Sequence, residues 1–187
     1  MILVLDISNP VVPVLCDEFV SPVARIIEQK GISVKKIHIS DLIQIKHKVT
    51  GIIICGTALA DSWYKDKRIE PLVSRYNVPI LGICAGMQML LSESGGVVIQ
   101  SLEIGMIPVT LSCDGKEDIL TKGKDEFSGY ALHQYATTIP ETWTVLAHSK
   151  NTAQIVRYSD KFWYGVLFHP EVRNEWIIER FVDITIK

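Results

Sequence analysis

Leu81-Gly82-Ile83-Cys84-Ala85-Gly86-Met87-Gln88 sets one cysteine between two glycines where an apolar run of strand length gives way to a helical segment. This is the layout of a nucleophile elbow, a sharp strand-to-helix turn that strains its central residue and lifts the side chain to the helix N-terminus. Only glycine-sized neighbours two residues before and after let the chain pass. A thiol placed there lies at the positive end of a helix dipole, which favours the nucleophilic thiolate. Free cysteine is more often an inert packing residue. The two glycines and the strand-to-helix position reverse that reading for Cys84.

Upstream of the elbow, apolar runs of strand length alternate with helical segments. Ile2 to Leu5 is followed by an amphipathic stretch from Glu18 to Lys30, closed by Gly31, and then by Ser33 to Ile39. Gly51 to Cys55 and Val78 to Ile83 are continuously apolar, as strands covered on both faces are. Lys67 to Tyr76 reads as the crossover helix between them, and Ala85 to Ser94 as the helix after the elbow, stopped by Gly95-Gly96. Beyond Gly96 the texture changes to beta-rich runs: Val97 to Gln100, Ile104 to Leu111, Tyr130 to Thr138, Thr144 to Ala147, Ala153 to Tyr158 and Trp163 to Phe168. Turn signals at Asp114-Gly115 and Ile139-Pro140 separate them, and Trp176 to Ile186 reads as a closing helix. The fold class that follows is α/β: a mostly parallel sheet flanked by helices, with antiparallel strands added in the second half. Ligands in such sheets collect at the carboxyl ends of the strands.

At 187 residues the chain is read as a single domain spanning 1–187. A hydrophobic fraction of 48%, a charged fraction of 21% and a net charge of -2 fit a globular protein with no electrostatic footprint for nucleic acid. Met1 to Asp6 lacks a basic leader, and no apolar run has the length of a membrane span, so a cytoplasmic protein is expected. Cys16, Cys55, Cys84 and Cys113 are scattered without a CxxC pair, which speaks for reduced thiols rather than a disulfide frame or a zinc site. All but Cys84 are read as small hydrophobes.

A cysteine nucleophile needs a base, and the base needs a group to orient it. Phe168-His169-Pro170-Glu171 follows the apolar run Tyr164 to Leu167, so His169 ends a strand and points toward the elbow's crevice. Glu171 reaches back to fix the imidazole's tautomer. Without Cys84, His169 would pass equally for a strand-end histidine bonded to backbone. Oxyanion donors are expected from the N–H of Ala85 and from the Gly56-Thr57 loop after Gly51 to Cys55. Gln88, one helical turn past Cys84, and Leu132-His133-Gln134-Tyr135 are the expected substrate contacts, with a purely structural role the alternative for His133. His38, His47 and His148 read as solvated, and Lys65-Asp66-Lys67-Arg68 as an exposed helix start. No metal and no cofactor are called for.

Together, Gly82-Ile83-Cys84-Ala85-Gly86-Met87-Gln88 and Phe168-His169-Pro170-Glu171 resemble the two signatures of the class I, triad-type glutamine amidotransferases, G-x-C-x-G-x-Q and F-H-P-E, in the family's order. Their joint occurrence is far more specific than a lone GxCxG, and the resemblance runs over most of the chain. It implies a flavodoxin-like sheet and a catalytic triad of Cys84, His169 and Glu171. The implied reaction hydrolyses glutamine through a cysteine thioester and passes the ammonia to an ATP-dependent synthetase, an ATP pyrophosphatase subunit. Tyr164 to Val172 and Leu132 to Ser149 are most similar to the branch formed by the stand-alone glutaminase subunits of two-subunit GMP synthases. Two places depart from that branch. Its S-G-G-P loop stands here as Cys55-Gly56-Thr57-Ala58, and the acid of its S-H-x-D-x-V segment is missing from Leu132-His133-Gln134-Tyr135-Ala136. The chain carries no P-loop for ATP chemistry, so a partner is expected. A glutaminase serving another synthetase, a self-contained gamma-glutamyl hydrolase and a non-catalytic regulatory module remain as alternatives.

Overall fold

The computed structural model describes residues 1–41 and 48–186, so His47 lies outside the described residues. Strands β1 (Ile2–Asp6), β2 (Val34–His38), β3 (Gly51–Ile54), β4 (Ile80–Ile83), β5 (Val98–Leu111), β6 (Glu126–Thr137), β7 (Trp143–His148), β8 (Ala153–Tyr158) and β9 (Trp163–Val166) form one sheet. The order across it is β2-β1-β3-β4-β9-β8-β7-β5-β6. The first five strands in that order are mutually parallel, and the pairings from β9 onward are antiparallel. The helices are α1 (Ser21–Gln29), α2 (Glu70–Arg75), α3 (Ala85–Glu93), α4 (Cys113–Glu117), α5 (Pro170–Arg173) and α6 (Trp176–Thr185).

Period-two alternation between two covered faces explains why β1 as far as Leu5, β3 and β4 are apolar. Ile2, Val4, Ile53, Leu81 and Ile83 pack on one face with Val23 and Ile27 of α1 and Phe181 and Val182 of α6. Leu3, Leu5, Ile52, Ile54 and Ile80 pack on the other with Leu72 of α2 and Leu90 and Leu91 of α3. Each such side chain, fully buried, contributes about 1.5–3 kcal/mol from the area it removes from water. These strands lie beside β9 at the centre of the sheet, and the carboxyl ends of β4, β3 and β9 lead into Cys84, Gly56 and His169 respectively.

Elsewhere the structure differs from the pattern reading. The two expected runs Val97 to Gln100 and Ile104 to Leu111 are a single strand, β5, with its register to β6 broken between Gln100 and Glu103. Glu103 interrupts the apolar pattern, yet it is buried, because Asn151 Nδ2 (3.1 Å) and Gln154 Nε2 (2.7 Å) both donate to its carboxylate. Asp114-Gly115, expected as a turn, lies inside α4, where the Ser112 hydroxyl accepts from the Gly115 N–H and caps the helix. Cys55 is buried as expected, but Cys16 is only half-buried and Cys113 is exposed, so neither is a simple core residue. His148 is exposed, whereas His38 is half-buried, with Nε2 2.9 Å from Ser8 O. Lys65 and Asp66 end a 3-10 turn (Trp63–Asp66) rather than starting a helix. Along β5, on both sides of the bulge and within it, Val98, Ile99, Leu102, Ile104 and Met106 are exposed. Among the described residues no helix is long and apolar enough to cross a membrane, and no cluster of His, Cys, Asp and Glu is arranged to hold a metal ion.

Candidate active site

The turn between β4 and α3 carries the strain its sequence predicts. Cys84 has φ 49 and ψ -106, the one non-glycine residue with positive φ among those described. Side chains could not replace its glycine neighbours: a Cβ on Gly82 would lie 2.6 Å from the Gly86 carbonyl carbon, and one on Gly86 would overlap Ile54 O. The Cys84 N–H donates to Val166 O at 2.7 Å, which ties the elbow to the end of β9. Three residues on, His169 is held by its own N–H to Tyr130 O (2.8 Å).

Glu171 sits in the first turn of α5, and its Oε1 lies 2.7 Å from His169 Nδ1, both side chains buried. Phe19 packs its ring against the imidazole with centroids 5.5 Å apart, closing off one side. With Nδ1 engaged, His169 Nε2 is buried without a hydrogen-bond partner among the described residues. Gly56 fills the gap beside it: a Cβ there would lie 2.8 Å from His169 Cε1 and 3.2 Å from Cys84 Cβ. Thiol and imidazole therefore face the same small space. Burial opposes the charged imidazolium, but the Cys84 sulfur and the Glu171 carboxylate outweigh it and hold the His169 pKa well above the ordinary histidine value. The geometry therefore favours the imidazolium form of His169 beside the cysteine.

A cleft of about 270 Å³ opens over Cys84. It is lined by Thr57, Ala85, Gln88 and Leu132 to Tyr135, whereas Gly56, His169 and Glu171 do not line it. The first N–H groups of α3, Ala85 among them, have no intrahelical acceptor and sit next to the sulfur. Gln88 is fixed at both ends, since its Oε1 accepts from the Tyr64 hydroxyl (2.8 Å) and its Nε2 donates to Tyr135 O (2.9 Å). Leu132 O lies 3.8 Å from Cys84 Sγ, and Gln134 Nε2 donates to Leu59 O at 3.3 Å. His133 lines the cleft, but its imidazole engages β5. Its Nδ1 is 2.9 Å from Ser101 O and its Nε2 3.2 Å from Glu103 Oε2, both on β5.

Sequence reading missed Tyr64, Lys65 and Asp61, which all line the cleft. Lys65 Nζ sits 4.4 Å over the Tyr135 ring, so it is part of the cleft wall rather than a freely solvated charge. None of the three carries a local sequence signal. Tyr64 meets Gln88 across 24 residues, and only the packed loops bring them together.

Known proteins match in both sequence and shape. Residues 15–177 match the family described as glutamine amidotransferase class-I. A GMP synthase [glutamine-hydrolyzing] of Crocosphaera subtropica is 32% identical over 161 residues, which is 73% of this chain and 29% of that protein. One from Trichormus variabilis is 36% identical over 126 residues, or 65% of this chain and 23% of that protein. The matched part is thus under a third of these relatives' length. Among solved structures, a GMP synthase subunit from Thermoplasma acidophilum superposes with a TM-score of 0.75 at 20% identity, covering 99% of this chain and 93% of that one. A glutamine amidotransferase from Thermotoga maritima gives 0.71 at 18% identity, covering 97% and 80%. At these identities the structures show a common fold.

Proposed function

The chain belongs to the class I glutamine amidotransferases, and from that premise we propose that it hydrolyses the side-chain amide of glutamine, with Cys84 as nucleophile, His169 as acid and base, and Glu171 as the group that orients the imidazole. The observation that carries the reading is Cys84 at positive φ, sharing the gap at Gly56 with an imidazole already bound to Glu171. The Cys84 thiolate attacks the amide carbon, and the carbonyl oxygen becomes an oxyanion held by the Ala85 N–H and the Gly56-Thr57 loop. As the tetrahedral adduct collapses, the C–N bond breaks and imidazolium His169 gives its Nε2 proton to the leaving nitrogen, which departs as ammonia. A gamma-glutamyl thioester stays on Cys84. Neutral His169 then takes a proton from water, the water oxygen adds to the thioester carbon, and glutamate leaves while Cys84 returns as thiolate and His169 as imidazolium. Gln88 and the 132–135 segment supply the walls that seat the substrate's polar groups.

Ammonia released into neutral water becomes ammonium and loses its nucleophilicity, so the product is useful when a second active site receives it directly. We assign that site to an ATP-dependent synthetase, a separate chain in the cytoplasm, with conversion of XMP to GMP as the reaction served. Support comes from the GMP synthase relatives and from the several exposed apolar residues of β5, since exposed apolar surface is the kind a partner covers. The entire chain is assigned to the one amidotransferase unit.

Glutamate release from glutamine by the purified protein, alone and with an ATP pyrophosphatase subunit from the same cell, tests the reading. Cys84→Ala should lower it by at least about 10⁴-fold. Normal turnover in that variant would overturn the assignment.

A further inference from the structure

The wall of the cleft opposite α3 is the loop that follows β3, and one carboxylate organises it. Asp61 Oδ2 accepts from the Thr57 hydroxyl at 2.6 Å and from the Asn9 N–H at 2.9 Å, and Oδ1 accepts from the Trp63 N–H at 2.9 Å. Its own N–H donates to Ala58 O at 2.9 Å, closing residues 58–61 into a turn. A single side chain thereby joins the loop after β1, the loop after β3 and the start of the 3-10 turn that carries Tyr64. Thr57 is buried, and among the described residues its N–H donates to no acceptor.

Resting on the glutaminase reading, we infer that Asp61 is a positioning residue: through the Thr57 hydroxyl it fixes the Gly56-Thr57 peptide so that the Thr57 N–H serves as the second oxyanion donor. The loop is held from two sides. Toward the triad there is no room for a side chain, since a Cβ on Gly56 would lie 2.8 Å from His169 Cε1 and 3.2 Å from Cys84 Cβ, and only a glycine backbone fits. Away from the triad, the short charge-assisted bond from Thr57 to Asp61 keeps it from retreating. An oxyanion donor must stand about 2.7–3.1 Å from where the charge develops, and a misplacement near 1 Å costs on the order of 10²-fold in rate. Where the resembling branch has a second glycine, whose backbone is free, this chain has a threonine whose side chain is tied down. The tie accounts for why a β-branched residue stands at a position that must aim a backbone N–H.

The inference is tested by comparing two reactions of the same cysteine in the whole protein. Glutamine hydrolysis passes through an oxyanion, whereas alkylation of Cys84 by iodoacetamide is a direct displacement at carbon and forms none. Thr57→Val and Asp61→Asn should each lower kcat for glutamate release about 10- to 100-fold with KM within about threefold, and leave the alkylation rate near that of the parent. Thr57→Ser, which restores the hydroxyl, should recover most of the loss. Because Asp61 acts through Thr57, the double variant should be little worse than either single one. Equal losses in hydrolysis and alkylation would mean a purely structural role, and unchanged kcat in both single variants would remove the inference outright. A parent protein that releases no glutamate, with or without a synthetase partner, would instead count against the glutaminase reading itself, and the inference would fall with it.

Discussion

Two buried histidine–glutamate pairs lie close together in this protein, and they behave in opposite ways. His169 Nδ1 is 2.7 Å from Glu171 Oε1, and His133 Nε2 is 3.2 Å from Glu103 Oε2. Burial works against the charged imidazolium in both. At His169 the Cys84 sulfur and Glu171 overcome it and the pKa rises, whereas at His133 burial prevails over Ser101 O and Glu103 and the pKa is lowered. What the carboxylates are bound to differs. Glu103 already accepts from Asn151 and Gln154, while the second oxygen of Glu171 has no partner among the described residues. The cysteine completes the distinction: one pair has a nucleophile in front of it, and the other anchors β6 to β5. A buried histidine–carboxylate pair is therefore no mark of catalysis by itself.

Glu171→Gln and Glu103→Gln put that contrast at its largest. Losing the Glu171 carboxylate should cut kcat for glutamate release on the order of 10²- to 10⁴-fold, because the imidazole loses both its orientation and the charge that favours its protonated form. Glu103→Gln should keep kcat within about threefold but cost about 1–3 kcal/mol of stability, since its amide turns a donor toward donors. Reversal of the two outcomes, read by steady-state kinetics and urea unfolding, would exchange the roles assigned to the pairs.

A finer distinction is the charge of the two rings. His169, raised above the ordinary value near 6.5, should be an imidazolium at pH 7. The stability it contributes is complete below that ordinary value and is lost as pH climbs through its raised folded value. His133, lowered, should be neutral at pH 7, and its contribution is present above the ordinary value and lost as pH falls through its depressed one. Nitrogen-15 spectra of the ring nitrogens at pH 7 should show both nitrogens of His169 protonated and only one of His133. Two rings with the same protonation state would break the comparison.

The sequence made one of these pairs legible and hid the other. Cys84 with its glycines and His169 with Glu171 are short contiguous signals, because an elbow and a strand end each need only a few adjacent residues to set their geometry. The alternating sheet was equally readable where strands bury both faces, as at Gly51 to Cys55. Glu103 was unreadable for a physical reason: a charge inside an apolar run looks like the end of a strand, and its donors Asn151 and Gln154 arrive from another hairpin. Asp61 and Tyr64 were hidden likewise, since Asp61 meets Asn9 across 52 residues and Tyr64 meets Gln88 across 24. Long-range polar contacts leave no period in the sequence, which is why pattern could place His133 at the cleft and leave a structural role open, but could not find its bonds to Ser101 and Glu103.

The central claim is that the elbow cysteine, and no other, carries the glutamyl group. Mixing the protein with glutamine, quenching in acid on the millisecond-to-second scale and mapping peptides by mass spectrometry tests this directly. The account predicts a gamma-glutamyl thioester on the peptide containing Cys84, absent from Cys84→Ala and accumulating when Glu171→Gln slows its hydrolysis more than its formation. Glutamate formed with the adduct on Cys16, Cys55 or Cys113, or undiminished in Cys84→Ala, would contradict it.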